Sequence, residues 1–208
     1  MTYAIEARDL YYTYEDGTVA LDHISFRAER GKMTGILGAN GAGKSTLFLN
    51  LNGVLTPAGG EVRVDGVPVT YDRKGLISVR KQVGIVFQDP DDQLFSADVY
   101  RDISFGGVNL GLPEEEVRRR VDEAMEWTGV THLKGKPTHA LSFGQKKRVA
   151  IAGVLVMEPS VVILDEPTAG LDPQGVSDIM RLLAELRGRL GMTIIIATHD
   201  MDIVPLYC

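Results

Sequence analysis

The run GANGAGKST (38–46) follows directly on the apolar run MTGIL (33–37) and leads into a stretch with helical spacing. From Gly38 through Ala39, Asn40, Gly41, Ala42 and Gly43 to Lys44 and Ser45 it fits G-x-x-x-x-G-K-[ST], a phosphate-binding loop. The glycines let main-chain N–H groups turn inward around an anion, and a helix start beneath them adds partial positive charge. Lys44 can bring a point charge to β and γ oxygens, Ser45 a hydroxyl to Mg²⁺, and Thr46 a donor to an α-phosphate. A strand that feeds such a loop into a helix is a unit of α/β architecture, so this stretch constrains the fold more than any other.

Three more continuous apolar runs, VGIVF (83–87), VVIL (161–164) and TIIIA (193–197), read as buried parallel strands. Each leads into polar residues: Gln88 after the first of these three, Asp165 and Glu166 after the second, His199 after the third. In an open α/β sheet the ligand lies outside the carboxyl ends of the strands, so these residues should converge with the phosphate loop on one crevice. There Asp165 can hold Mg²⁺ through its water shell, and Glu166 can polarise an attacking water. Gln88 alone would read as an ordinary loop residue and His199 as a structural histidine. Their shared position at strand ends instead aims both at the γ-phosphate, where Gln can touch metal and water and His can donate to an oxygen.

The segments ALDHISFRAERG (20–31) and EVRVDGVPV (61–69) alternate as half-buried antiparallel strands do, the second with an Asp65-Gly66 turn. They predict an antiparallel β flap beside the mainly parallel sheet. PEEEVRRRVDEAMEWT (113–128) reads as a helix, with Pro113 and three Glu residues at its start and Val117, Val121, Ala124, Met125 and Thr128 on one face. With a second helix over 145–157 it forms a helical block between the second and third parallel runs. A last helix, about 174–190, should bury Val176, Ile179, Leu182, Leu183, Leu186 and Leu190.

The chain has 208 residues, 44% apolar and 24% charged, with net charge −6 and its Lys and Arg scattered. That argues against a nucleic-acid partner. No apolar run approaches the roughly 20 residues that span a bilayer, and MTYAIEARDL has no leader pattern, which predicts a cytoplasmic or peripheral protein. The single cysteine, Cys208, cannot build a disulfide framework or a zinc cluster.

The set GANGAGKS, Gln88, LSFGQ (141–145), VVILDEP (161–167), AGLDP (169–173) and Thr198-His199-Asp200, in this order and spacing, resembles the ATP-binding subunits of ABC transporters along nearly the whole chain. GIVFQDPDDQLF (84–95) and the Phe of LSFGQ are similar to the ATPase subunits of cobalt/nickel importers and of the related energy-coupling-factor vitamin importers.

The resemblance implies a P-loop NTPase (RecA-like) core. Residues 1–90 and 158–208 would make that core with its flap, and 91–157 an inserted helical subdomain carrying the signature loop. It implies that Ser142, Gly144 and Gln145 contact, in trans, the ATP held by a second subunit, and that Asp172 lies in the loop crossing the dimer interface. Tyr14 would stack on adenine, with Tyr11 and Tyr12 as rivals. Gln88 would sit in the lever loop toward the membrane partner, with DPDDQLFSADVY (89–100) as the docking surface. By resemblance the catalytic set is Lys44, Gln88, Glu166 and His199, and the Mg²⁺ set Ser45, Gln88 and Asp165.

The protein is therefore expected to hydrolyse ATP as part of an importer, as a homodimer or as a heterodimer with a paralogue. Its other partners would be transmembrane and substrate-capture subunits at the cytoplasmic face of the membrane, and its cargo cobalt or nickel, or else a vitamin. Repair and chromosome ATPases of the superfamily insert long coiled coils, and translation-associated ones carry two cassettes; neither pattern is present. Phe143 departs from the commoner LSGGQ and would alter what packs beside that loop. Family members usually continue beyond the position of Cys208, so a further C-terminal region is expected.

Overall fold

The computed structural model describes residues 2–208. In chain order the elements are β1 (Tyr3–Thr13), β2 (Val19–Glu29), β3 (Met33–Leu37), α1 (Lys44–Leu51), β4 (Gly59–Val64), β5 (Val67–Pro68), α2 (Arg73–Gln82) and β6 (Val83–Val86). They are followed by α3 (Val99–Asn109), α4 (Glu114–Thr128), α5 (Phe143–Leu155), β7 (Val161–Asp165), α6 (Pro173–Leu190), β8 (Thr193–Thr198) and α7 (Val204–Tyr207).

The four continuous apolar runs form one wholly parallel sheet in the order β3-β8-β7-β6. Every residue of β7 and β8 is buried, as strands covered on both faces require. The register pairs Leu37 with Thr198, Asp165 with Ala197 and Val86 with Leu164, so the four carboxyl ends finish on one rim. The convergence expected from the sequence is a consequence of that alignment.

Alternate residues of these strands serve two cores, because side chains along a strand point to opposite faces. Val162, Leu164, Ile194 and Ile196 pack with α3, α4, α5 and α6. Val161, Ile163, Ile195 and Ala197 pack with Leu47, Phe48 and Leu51 of α1 and with the antiparallel sheet. That second sheet has the order β2-β1-β4-β5. The two alternating segments recognised in the sequence therefore do not pair with each other: both flank β1, a strand not identified from its pattern. The turn between β4 and β5 is formed by Asp65 (φ 52°) and Gly66 (φ 79°), both left-handed as a tight hairpin demands.

The helical block contains α3 as well as the two expected helices. α4 buries Val117, Val121, Ala124, Met125 and Thr128 and ends on left-handed Gly129, as its pattern predicts. α5 spans 143–155 rather than 145–157. Ser142 caps it and Gln145 reaches back to the Ser142 N–H, so Phe143 and Gly144 already belong to the first turn. In α6, Ile179, Leu182, Leu183 and Leu186 are buried, but Val176 is only half-buried and Leu190 is 38% exposed in the last turn, before the left-handed cap Gly191. No helix among the described residues is long and apolar enough to cross a membrane.

Candidate active site

The phosphate loop leaves β3 at Leu37 and re-enters helix at Lys44. Gly41 (φ 79°) and Gly43 (φ 87°) are left-handed, and a Cβ on Gly43 would lie 2.5 Å from the Ala20 carbonyl oxygen. That approach is open only to glycine. No side chain caps α1, so its first N–H groups remain free for an anion. Lys44 folds back over the loop, donating from Nζ to the carbonyls of Gly38 (2.6 Å) and Ala39 (3.1 Å).

Asp165 and Glu166 stand across the crevice at the end of β7. Ser45 Oγ donates to Asp165 Oδ2 at 2.5 Å, bringing together a hydroxyl and a carboxylate, with Gln88 lining the same cleft. Mg²⁺ takes few protein oxygens and completes its shell with water and phosphate, so Ser45, Asp165 and Gln88 fit it by number and chemistry. Among the described residues there is no group of three or more His, Cys, Asp or Glu that could hold a metal. The fit thus rests on this mixed oxygen set.

Glu166 is 3% exposed and held in the left-handed region (φ 45°), with its N–H bonded to the Ala197 carbonyl. Its Oε2 is 3.0 Å from His199 Nδ1, while Oε1 is buried, has no hydrogen-bond partner and lies 3.6 Å from Lys44 Nζ. A buried carboxylate oxygen without a donor is uncommon in native proteins and suits a site that receives one from substrate water.

Tyr14 borders the loop, its hydroxyl 2.8 Å from Thr46 Oγ1 and its ring edge-on to Tyr12. Of the three candidate tyrosines it alone lines the cleft of about 550 Å³ that also holds Asn40, Ala42, Gly43 and Glu166. Tyr11 packs on His23, and Tyr12 against the core beneath. Gln88 lies two residues beyond β6 and is exposed.

The signature residues lie apart from this cleft. Ser142 and Gln145 close the capping box of α5, Gly144 sits in its first turn, and Asp172 caps α6 by accepting from the Gly175 N–H at 2.7 Å. The chain does not bring Ser142, Gly144, Gln145 or Asp172 to its own phosphate loop.

Sequence reasoning missed Lys147. It is 3% exposed, and its Nζ donates to the Gln88 carbonyl at 3.0 Å and the Glu166 carbonyl at 3.2 Å. Burial pushes its ammonium down to about 8, opposed by the charges of Asp89, Glu166 and Asp165. The one available signal was a lysine at an inward position of an otherwise apolar helix face.

A parallel strand opening into a glycine loop over a helix start, faced by paired acids from the next strand but one of the same sheet, defines a nucleoside triphosphatase of the P-loop class. The family model described as ABC transporter matches residues 21–169, and the chain belongs to that family. It is 64% identical over 206 residues to the energy-coupling factor transporter ATP-binding protein EcfA2 of Clostridium perfringens, covering 99% of this chain and 72% of that one. Against EcfA of Methanocaldococcus jannaschii it is 58% identical, with 99% and 73% covered. Among solved structures, cbiO1 from Clostridium perfringens, described as part of the ABC transporter complex cbiONQ, superposes with a TM-score of 0.91 at 63% identity, over 100% of this chain and 83% of that one. The dimeric cassette MJ0796 bound to ADP and Pi gives a TM-score of 0.85 at 27% identity, over 98% and 91%. The chain is thus an ATP hydrolase coupled to transmembrane transport, of the energy-coupling-factor and cbiO class of importer ATPases.

Proposed function

We propose that two such chains, identical or paralogous, close head to tail on two ATP molecules, and that each site hydrolyses ATP with Glu166 as general base. The carrying observation is the pose of Glu166: buried, left-handed at the strand end, and with one oxygen free of hydrogen bonds toward Lys44. From there it takes a proton from water as the water oxygen bonds to the γ-phosphorus and the bond from that phosphorus to the β,γ-bridging oxygen breaks, leaving ADP and phosphate. His199, bonded to the other carboxylate oxygen, keeps Glu166 aimed and can donate to phosphate. Lys44 and the free N–H groups of the loop offset charge on the β and γ oxygens, Thr46 donates to the α-phosphate, and Tyr14 offers its ring to adenine. Ser45, Asp165 and Gln88 would hold Mg²⁺, whose charge would help neutralise the phosphate oxygens.

The separation of Ser142, Gly144, Gln145 and Asp172 from the chain's own phosphate loop supports their service to the ATP of the other subunit. An apolar groove of about 520 Å³ lies between the sheet and the helical block, lined by Phe87, Leu94, Phe95 and Phe105. It supports docking of a transmembrane subunit at the cytoplasmic face of the membrane, with a substrate-capture subunit completing the transporter. Uptake of cobalt or nickel is one reading. The energy-coupling-factor names of several relatives support a vitamin importer about as well.

Mixing a Lys44→Ala chain with a Ser142→Ala chain tests the shared site. Each variant alone should be inactive, and the mixture should regain about one working site per heterodimer; no recovery would count against the sandwich. Uptake of cobalt or nickel against a labelled vitamin, by vesicles carrying the reconstituted transporter, separates the two cargo readings.

A further inference from the structure

We propose that Lys147 is a positioning residue of the hydrolytic site, tying the signature helix to both the lever residue Gln88 and the base Glu166. The inference rests on the reading of Glu166 as general base given above.

A lysine this deeply buried is ordinarily paired with a carboxylate. Lys147 forms no ion pair among the described residues; its ammonium is spent on two main-chain carbonyls, those of Gln88 and Glu166. Its remaining face is covered by the Phe143 ring, whose centroid is 5.2 Å away, one helical turn earlier on the same side of α5. An apolar side chain would fill this space with less desolvation, so the retained charge needs a reason beyond packing.

The reason lies in what the two carbonyls belong to. Gln88 is outside any regular element, and Glu166 occupies a backbone region that L residues rarely adopt. The Glu166 N–H is fixed by Ala197 and its carbonyl by Lys147, so the peptide units on both sides of the reactive carboxylate are held. The same ammonium fixes Gln88, and Lys146 beside it pairs with Asp91 at 2.6 Å. The lever stretch is therefore gripped twice by α5.

That helix begins at Ser142, the residue offered to the other subunit's ATP, and Phe143 rests on Gly170 in the loop that leads to Asp172. A Cβ on Gly170 would lie 2.9 Å from the Phe143 ring. A rotation of α5 thus shifts the Gln88 and Glu166 carbonyls together. Lys147 is the point at which events at the partner's nucleotide reach this chain's own base.

The test replaces Lys147 with Met, which keeps length and removes every donor, alongside Glu166→Gln. Three quantities are read on the full chain: melting temperature, affinity for Mg²⁺ with a non-hydrolysable ATP analogue, and kcat for ATP hydrolysis. Lys147→Met should melt no lower than the parent and bind the analogue within about twofold. Its kcat should fall about tenfold or more. A kcat within twofold of the parent overturns the proposal, and so does an equal fall of affinity and melting temperature, which would mark a structural role. Should Met prevent folding, Lys147→Gln is read by the same criteria, and failure of both to fold likewise makes the residue structural. If Glu166→Gln hydrolyses ATP normally, the general-base reading fails. If Glu166→Gln is inactive while Lys147→Met is fully active, only the Lys147 proposal fails.

Discussion

Lys44 Nζ lies 3.6 Å from Glu166 Oε1, a pairing between the phosphate loop and the end of β7 that reaches from one strand's loop to another's across the sheet. Both side chains are almost fully covered. At hydrogen-bond range a buried lysine and glutamate would neutralise each other and close the site. At 3.6 Å the contact is an ion pair without a hydrogen bond: Lys44 donates to Gly38 and Ala39 instead and Glu166 Oε1 accepts from no one, so both groups keep capacity for an entering phosphate and water.

Replacing Glu166 with Gln keeps shape and removes the base. Hydrolysis should fall about 10²–10⁴-fold, the usual contribution of general acid–base catalysis. ATP should still bind, and gel filtration with ATP should reveal an accumulated dimer. Normal turnover in this variant would remove Glu166 from the chemistry.

Replacing Lys44 with Ala withdraws the charged donor from the β and γ oxygens. A charge-assisted hydrogen bond contributes about 1.5–3 kcal/mol, so affinity for ATP should fall roughly 10- to 150-fold by equilibrium titration. AMP, which lacks those oxygens, should bind the variant and the parent alike. An equal loss for both nucleotides would mean that the loop itself had collapsed.

Much of this site could be seen in the sequence because its residues sit at the ends of strands that declare themselves. VVIL and TIIIA are apolar without interruption, and the acids and the histidine follow at once. The phosphate loop carries its own geometry in the spacing of Gly38, Gly43 and Lys44. α2 and α3 were not legible: α2 is short, has Gly75 in its first turn and buries only Val79, while α3 contains Gly106 and Gly107 among β-branched and aromatic residues. α3 owes its form to packing rather than to pattern, whereas α2, with little buried, is held at its start by Asp72 accepting from the Gly75 N–H. Gly107 allows the close passage of Val156 and Val117, a tertiary fact with no local trace. Lys147 escaped for a related reason. Its partners are carbonyls 59 and 19 residues away, and main-chain acceptors leave no mark on composition.

Acid should act on the helical block at Glu116. Hydrogen bonds from Arg119 and Arg120 hold its carboxyl down to about 2, against an ordinary value of 4.5. Between those values the unfolded chain binds more protons than the folded one, so stability rises with pH across the window. The Glu116 contribution is thus complete above about pH 4.5 and disappears as pH falls through about 2. These pairs are exposed, so it should be small and weaken further in concentrated salt. A Glu116 titration midpoint near 4.5 by NMR would show that the arginine contacts do not persist in solution.

Gly43 offers the most direct trial of the loop's geometry. Alanine there meets two separate obstacles. Its φ of 87° is strained for any L residue, and its Cβ would sit 2.5 Å from the Ala20 carbonyl oxygen in the flap. Strain of this kind costs about 1–3 kcal/mol, and the clash adds to it because a main-chain carbonyl cannot swing aside as a side chain can. Gly43→Ala should therefore lower the melting temperature by several degrees and weaken ATP binding, since relief can come only by moving the start of α1 away from β2. Gly41 is left-handed too (φ 79°), but a Cβ there meets nothing within 4 Å. Gly41→Ala should carry the strain without the clash and be the milder variant in both assays. Equal damage from the two would assign the effect to φ alone and leave the approach of the loop to Ala20 without energetic weight.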